Sequence, residues 1–480
     1  MTNASALIDI GGSSVKVIIC ETNAGNIYSY EVSITPKVEG KHIYLEPTHL
    51  YTHVIDAMNG CARKLPTGIQ VNNIYISTLR QGFCLIRGAD EITPIYLNSD
   101  TSGDFARKDI QDYGTKKIYE ETGHWFAPQL TLPKLINLKK TQPELMGKNI
   151  KLLFVHDWLV WRFTQAFLTE MTLVSAGQLA NLVEKNINTR LLDHFGIPSS
   201  IMPKPQKFGT VLGKLNVDVL LDLTSHWNLS KLCVGGGDSH FLHMGGSGNK
   251  VGKVVISAGS STPISLLSRS LGTPTLLQPW KSTSFVDSDY LLEGNLGYPG
   301  SFYGWLKKNV SNPVTSRKIK LENLSKAPTI FGSCNMWNEA KWESRPAFSI
   351  MGDFSRSNSN EIALGLTLDY SFALSNQISA LMDDGFEINQ IIITGGGANV
   401  QIQTILKSLL NISVDLMSKD VVINNLFSIL SGENPKTLHF ETQCENLDKE
   451  TSEFLKERFR NHALLYEQVE GTRKVVENAR

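Results

Sequence analysis

Residues 6–20 read ALIDIGGSSVKVIIC: two short runs rich in β-branched residues, joined at Gly11-Gly12-Ser13-Ser14. The second run, VKVIIC, has strand composition without helical spacing, so the pair is predicted to form a hairpin with a Gly/Ser tip. Residues 254–267, VVISAGSSTPISLL, repeat the arrangement around Ala258-Gly259-Ser260-Ser261-Thr262. Two such hairpins, half the chain apart, point to an internal duplication.

Working outward, each hairpin is followed by a strand, a glycine loop and a helix. Leu232-Cys233-Val234 leads into Gly235-Gly236-Gly237-Asp238, and Ile391 to Thr394 leads into Gly395-Gly396-Gly397-Ala398-Asn399. The second of these precedes a helix with apolar positions at Ile402, Ile405, Leu406 and Leu409. The stretch GGSGN at 245–249 suits a hinge, giving domains at 1–247 and 248–480. The inferred architecture is α/β, two domains with a cleft between them. Pro133 to Leu138 reads as a helix ending in a turn at Gln142-Pro143-Glu144-Leu145, and Asp157 as the N-cap of a helix beginning WLVWRFT. Ser311 to Ser344 reads as a polar surface excursion, and residues 446–480 as a solvated helix.

Composition bounds the function. The 480 residues carry 46 Lys+Arg against 46 Asp+Glu, so the chain has no excess charge with which to bind nucleic acid generally. At 41% hydrophobic and 19% charged it is a folded globular protein and not a disordered one. Cys20, Cys61, Cys84, Cys233, Cys334 and Cys444 are scattered singly, the pattern of a reduced cytoplasmic protein. The N-terminus lacks a basic start and a long apolar stretch, and no run approaches a membrane span.

A Gly/Ser tip between strands gathers backbone N–H groups into a concavity that attracts phosphate oxygens, and two facing tips could grip a polyphosphate. Asp9, just before the first tip, would repel phosphate unless a water-liganded magnesium lay between them, although a turn-capping role stays open. Lys16 serves the same polyanion or points to solvent. Asp238 either caps its helix or faces a ligand, where it could accept the proton of an attacking hydroxyl. Other chemistries lack their motifs: Val254 follows Gly252-Lys253 where a P-loop needs Ser or Thr, there is no GxSxG or HExxH, and His240 and His243 read as structural.

The ordered set DIGGSSVK, GGGD, SAGSS and GGGAN resembles the FGGY carbohydrate kinases, whose superfamily includes actin, hexokinase and the heat-shock-protein ATPase domain. The resemblance covers nearly the whole chain; the segments at 118–138, 156–164 and 351–367 are similar to linking segments of that family. It implies two ribonuclease-H-like (actin-like ATPase) domains, ATP and Mg2+, and phosphoryl transfer to a primary hydroxyl of a small ketose or polyol. By the same resemblance Asp238 is the base and Asp9 the magnesium-side carboxylate. Gly11, Gly12, Ser13 and Ser14, then Gly259, Ser260 and Ser261, hold phosphate. Gly300, before the Phe302 to Trp305 segment, and Gly396, Gly397, Ala398 and Asn399 lie on the adenosine side. The sugar pocket takes Arg80, Gln81, Asn98 and Asp100, a set closest to the autoinducer and ketose kinases of the family. Partners are then a small sugar or polyol and ATP, with no nucleic acid or membrane, and the family implies a homodimer.

The chain departs from the family pattern at Gly12 and Ser260, where Thr is usual, and at Ser102, where an arginine is expected. The adenosine loop is one residue short, and VVINNLF replaces a small-residue helix start near 421–427. These departures motivate the alternative of a catalytically weak homologue that acts as a sugar- or nucleotide-binding sensor.

Overall fold

The computed structural model describes residues 2–22, 25–215, 224–273, 275–297, 300–301, 304, 308, 319–333, 337, 349–352, 357–433 and 446–478. The chain divides into two compact units. One is Met1–Gly248 with Trp280–Leu291 and Ile423–Lys436; the other is Asn249–Pro279 with Leu292–Val422 and Thr437–Arg480.

In the first unit the opening hairpin forms as the sequence predicts. Thr2–Ile10 and Ser14–Glu21 pair antiparallel, with Asp9 opposite Lys16 and Ile10 opposite Val15, and Gly11 to Ser13 make the tip. Thr2–Ile10 also pairs parallel with Ile69–Thr78. It is therefore a central strand covered on both faces, and such a strand reads as a continuous apolar run instead of an alternating one. The sheet order is Val211–Lys214, Lys231–Cys233, Ile69–Thr78, Thr2–Ile10, Ser14–Glu21, Ile27–Ser33. Helix Pro47–Ala62 supplies Leu50, Val54, Ala57, Met58 and Cys61 to the core of this sheet, at the spacing of one helical face. A second sheet, with Ile150–Phe154, Phe83–Arg87, Ile95–Tyr96, His42–Leu45 and Lys37–Glu39 in that order, hangs from the exit of Ile69–Thr78.

The second unit repeats the first sheet's order. Lys253–Ser257 pairs antiparallel with Pro263–Ser268 and parallel with Gln390–Thr394, which pairs parallel with Ser413–Met417. Tyr290–Asn295 flanks Pro263–Ser268 as Ile27–Ser33 flanks Ser14–Glu21. This repeat sets an equivalence that the order of motifs does not suggest. The strand parallel to the opening hairpin is Ile69–Thr78, so the counterpart of the 395–399 loop is the turn carrying Arg80 and Gln81. Gly235 to Asp238 instead follow Lys231–Cys233, one strand further out.

Several local expectations change. Helix Val155–Thr164 begins after Phe154, and Asp157 sits at its third position, reaching back to accept the Phe154 N–H at 3.4 Å. Gly245 to Ser247 belong to helix Asp238–Ser247, which closes on Gly248 at φ 66°, the residue where the opening segment of the first unit ends. The C-terminal helix Lys449–Asn478 is not simply solvated. Leu455 is fully buried, His462 Nε2 meets Asp369 Oδ1 at 3.0 Å, and Arg458 donates to the carbonyls of Leu324 and Pro328. The described part of the 311–344 stretch is ordered, with helix Leu321–Lys326 and strand Thr329–Phe331 paired to Ser349–Met351; the rest lies outside the described residues. Cys20, Cys61, Cys84 and Cys233 are free and buried; Cys334 and Cys444 lie outside the described residues. No helix among the described residues is long and apolar enough to cross a membrane.

Candidate functional site

Asp9 stands two residues before the tip of the first hairpin, flanked by Lys16 on one neighbouring strand and Ser77 on the other. Ser77 Oγ donates to Asp9 Oδ1 at 2.7 Å. Burial pushes the Asp9 carboxyl up from 3.8 to about 6; the Ser77 bond and Lys16 oppose this, and the charge of Asp238 adds to it. At the tip, the Gly11 N–H donates to the Ser14 carbonyl at 2.9 Å, and the Ser13 carbonyl accepts from Ile34. Gly12 and Ser13 are exposed, and a Cβ at Gly12 would lie 3.6 Å from Asn98 Oδ1. The structure thus brings a proposed phosphate residue beside a proposed sugar residue.

Asp238 is the first residue of its helix; Gly237 occupies the cap position. Its Oδ1 accepts the Ser239 N–H at 2.8 Å and lies 3.4 Å from Arg80 Nε, with 44% of the Asp238 side chain exposed and 15% of Arg80. Asp238 is therefore not the N-cap residue, yet its carboxylate satisfies a first-turn N–H while standing partly exposed beside Arg80. Gly237 allows this approach, since a Cβ there would meet Arg80 Cδ at 2.8 Å.

The other residues expected on the sugar side are held by groups that the sequence did not single out. The Gln81 carbonyl accepts from Lys134 Nζ at 2.9 Å and Thr131 Oγ1 at 3.2 Å, and Lys134 Nζ also donates to the Leu97 carbonyl at 2.8 Å. Lys134 is 1% exposed, and burial pushes its ammonium down to about 7. One buried cation therefore ties the Arg80-Gln81 turn to the Leu97-Asn98 turn. Asp100 is fully buried, and its oxygens accept from the Ile43 N–H at 3.0 Å and from the Ser102 N–H and hydroxyl at 2.9 and 2.5 Å. The serine standing where the resemblance leads one to expect arginine thus bonds Asp100 directly. A lysine in the middle of the buried helical run TLPKLINL was the available signal for Lys134.

Lys134→Met keeps the bulk and removes the shared donor, leaving the Gln81 carbonyl to Thr131 Oγ1 and the Leu97 carbonyl to the Asp100 N–H, with nothing joining the two turns. The expected result is a rise of about tenfold in KM for the sugar with KM for Mg-ATP unchanged, read from initial rates with each substrate varied in turn.

In the second unit three proposed nucleotide segments converge. The Gly259 N–H donates to Ser261 at 3.2 Å, as Gly11 does within its own tip, and the Gly397 N–H donates to the Ala258 carbonyl at 2.8 Å. Gly395, at φ 98°, passes so close that a Cβ would lie 2.6 Å from Ala258 O. Gly300 is packed on the same tip, its Cβ position 2.0 Å from the Gly259 carbonyl; Phe302 and Trp305 lie outside the described residues. Ser260 is exposed beside Gly259, Gly396 and Gly397 are exposed, and Ala398 is half-buried. Asn399 caps helix Val400–Leu410, accepting the Ile402 N–H at 3.0 Å, so its side chain is committed to the loop and helix start. Among the described residues no group of three or more His, Cys, Asp or Glu is placed to hold a metal, and His240 is buried against the Thr283 carbonyl at 2.8 Å.

Solved structures share this arrangement. The xyloylose kinase from Brucella ovis superposes with a TM-score of 0.82 over 98% of this chain and 100% of that one, at 18% identity. Plasmodium falciparum glycerol kinase with ADP does so with a TM-score of 0.80 over 98% of each chain, at 16% identity. The fold is accordingly that of the two-domain, actin-like ATPases. Residues 5–225 match the FGGY family of carbohydrate kinases, N-terminal domain. YoaC of Bacillus subtilis (strain 168), provisionally named a sugar kinase, is 27% identical over 327 residues, 66% of this chain and 65% of that protein. By sequence the likeness to the FGGY carbohydrate kinases thus lies in residues 5–225, and by fold it extends over nearly the whole chain.

Proposed function

We propose that this chain is an ATP-dependent kinase that transfers the γ-phosphoryl group to a primary hydroxyl of a small ketose or polyol. The observation that carries the reading is Asp238, a half-exposed carboxylate at a helix start, within reach of Arg80 and electrostatically coupled to Asp9. Phosphoryl transfer needs little covalent help from the protein; it needs a carboxylate to take the hydroxyl proton, charge neutralisation and alignment. Asp238 takes the proton, and Arg80 holds its oxygen in place. Gln81 and Asn98 face the remaining hydroxyls, since each hydroxyl both donates and accepts, and Asp100 fixes the turn that carries Asn98. Neighbours named for xylulose and glycerol fall in the ketose and polyol classes.

Backbone groups of Gly11 to Ser14 and of Gly259 to Ser261 receive phosphate oxygens, with Lys16 near the first, while Gly300 and Gly396 to Asn399 line the adenosine side. Asp9 and Asp238 repel one another, the condition that a divalent cation relieves, and two carboxylates with water are a donor set suited to magnesium. Bound there, Mg2+ would neutralise phosphate charge as the leaving group departs.

The product of a reaction with Mg-ATP, examined by phosphorus NMR, is expected to show a phosphate ester on a terminal CH2 carbon. A secondary ester, or inorganic phosphate alone, would overturn the assignment. Gly300→Ala drives a methyl group into the Gly259 carbonyl and is expected to raise KM for ATP tenfold or more, leaving sugar affinity as it was. Nucleotide and sugar titrations by calorimetry separate the two.

A further inference from the structure

Four buried polar side chains away from the proposed chemistry converge on the glycine loop before Asp238. His156, Asp157 and Thr172 are fully buried, and Glu170 nearly so. His156 Nε2 accepts the Gly235 N–H at 3.0 Å, so its other nitrogen carries the proton and donates it to Asp157 Oδ1 at 2.8 Å. Thr172 Oγ1 accepts the Gly237 N–H at 3.2 Å and donates its own proton to Glu170 Oε2, which also accepts the Thr172 N–H at 2.8 Å. The loop has no slack: a Cβ at Gly235 would lie 1.9 Å from the Ile76 carbonyl, and one at Gly236 would lie 2.8 Å from Glu170 Oε2. Each relay ends on a carboxyl, and each holds a backbone N–H on alternate residues of the three that lead into Asp238.

We propose that the His156–Asp157 and Thr172–Glu170 pairs are positioning residues that set the backbone of Gly235 to Gly237 and thereby aim the Asp238 carboxylate. The inference rests on the proposed role of Asp238. A carboxylate that accepts a proton in transfer acts over a few tenths of an ångström, and a loop released from one anchor swings its first helical residue by more than that. All four side chains are buried, so their loss is expected to act on turnover and not on binding.

The test uses the full-length protein with His156→Leu and Thr172→Val, which remove the acceptor, and His156→Gln and Thr172→Ser, which restore it. Turnover is expected to fall about 10- to 100-fold in the His156→Leu and Thr172→Val proteins with KM for sugar and Mg-ATP within threefold, and to recover most of the way in the His156→Gln and Thr172→Ser proteins. In an Asp238→Asn background the same changes are expected to have no further effect, because a residue acting through Asp238 loses its influence with it. Unchanged kcat in all four variants, a loss confined to KM, or full additivity with Asp238→Asn would overturn the proposal. Amide exchange across residues 233–241 is read in the same variants whether or not any sugar is turned over, and is expected to quicken in the His156→Leu and Thr172→Val proteins. Equal protection would overturn the proposal on its own, whereas quickened exchange in a protein that phosphorylates nothing would instead remove the kinase reading.

Discussion

Asp238→Asn is expected to lower kcat by roughly 10²- to 10⁴-fold, the range for loss of a general base, while sugar binding stays within a few-fold of normal. The amide is close to isosteric, and its oxygen still accepts the Ser239 N–H that the carboxylate now accepts at 2.8 Å. The side chain is 44% exposed, so no buried cavity opens and the cost to the fold is small. What disappears is the charge and the ability to take a proton, together with the attraction between Asp238 and Arg80. Stopped-time rate measurements give kcat, and calorimetry gives the sugar affinity. A variant with wild-type turnover would remove Asp238 from the mechanism; one that loses binding in proportion to rate would make it a sugar anchor only.

The second large effect belongs to Asp9 and has two faces. Asp9→Asn removes the carboxylate proposed for the magnesium side, and kcat/KM for Mg-ATP is expected to fall at least about 100-fold. The same substitution is expected to stabilise the ligand-free protein at alkaline pH. The Asp9 carboxyl titrates near 6 in the folded chain against 3.8 ordinarily, chiefly from burial, so the folded state holds its proton more tightly than the unfolded state does. Stability from this group is therefore full below about pH 4 and declines as pH rises through 6, when the charge must be carried half-buried. Asparagine carries none. Two units would be worth about 3 kcal/mol at most, and partial contact with water reduces this to roughly 1–2 kcal/mol. Thermal unfolding without nucleotide should show the asparagine protein melting higher than wild type at pH 8 and alike at pH 4. A lower melting point at pH 8 with unaltered Mg-ATP kinetics would contradict the account.

Much of the frame was legible because it depends on local signals that strands and glycines broadcast. The Gly/Ser tips at 11–14 and 259–261 and the strands around them follow from β-branched runs broken by residues that tolerate tight turns, and the repeat between them announced the duplicated sheet. Asp238 was legible for the same reason, as the lone charge after three glycines. What could not be read were partners set by topology. Nothing in the chain's order says that Ile69–Thr78 is the strand inserted beside Thr2–Ile10, so the two glycine loops looked like counterparts when the sheet makes the Arg80 turn the true one. Lys134 and the two buried relays were invisible for a related reason: their meaning lies in carbonyls and N–H groups 37 to 79 positions away. Asp157 was read as a cap because a helix start attracts acids, and it instead stands at the third position, reaching back to the Phe154 N–H and bonded to His156. The C-terminal helix shows charge along its sequence, yet its buried stripe at Leu455 and His462 answers to Asp369 on helix Ser359–Asp383, a contact no local pattern contains.

The most direct test of the central claim is a coupled ADP-release assay with Mg-ATP and a panel of ketoses, aldoses and polyols, run side by side on the wild-type and Asp238→Asn proteins. A rate that depends on one of these acceptors and is absent from the Asp238→Asn protein is the predicted result. Acceptor-independent rates, equal rates in both proteins, or silence across the panel together with undetectable Mg-ATP binding would contradict it.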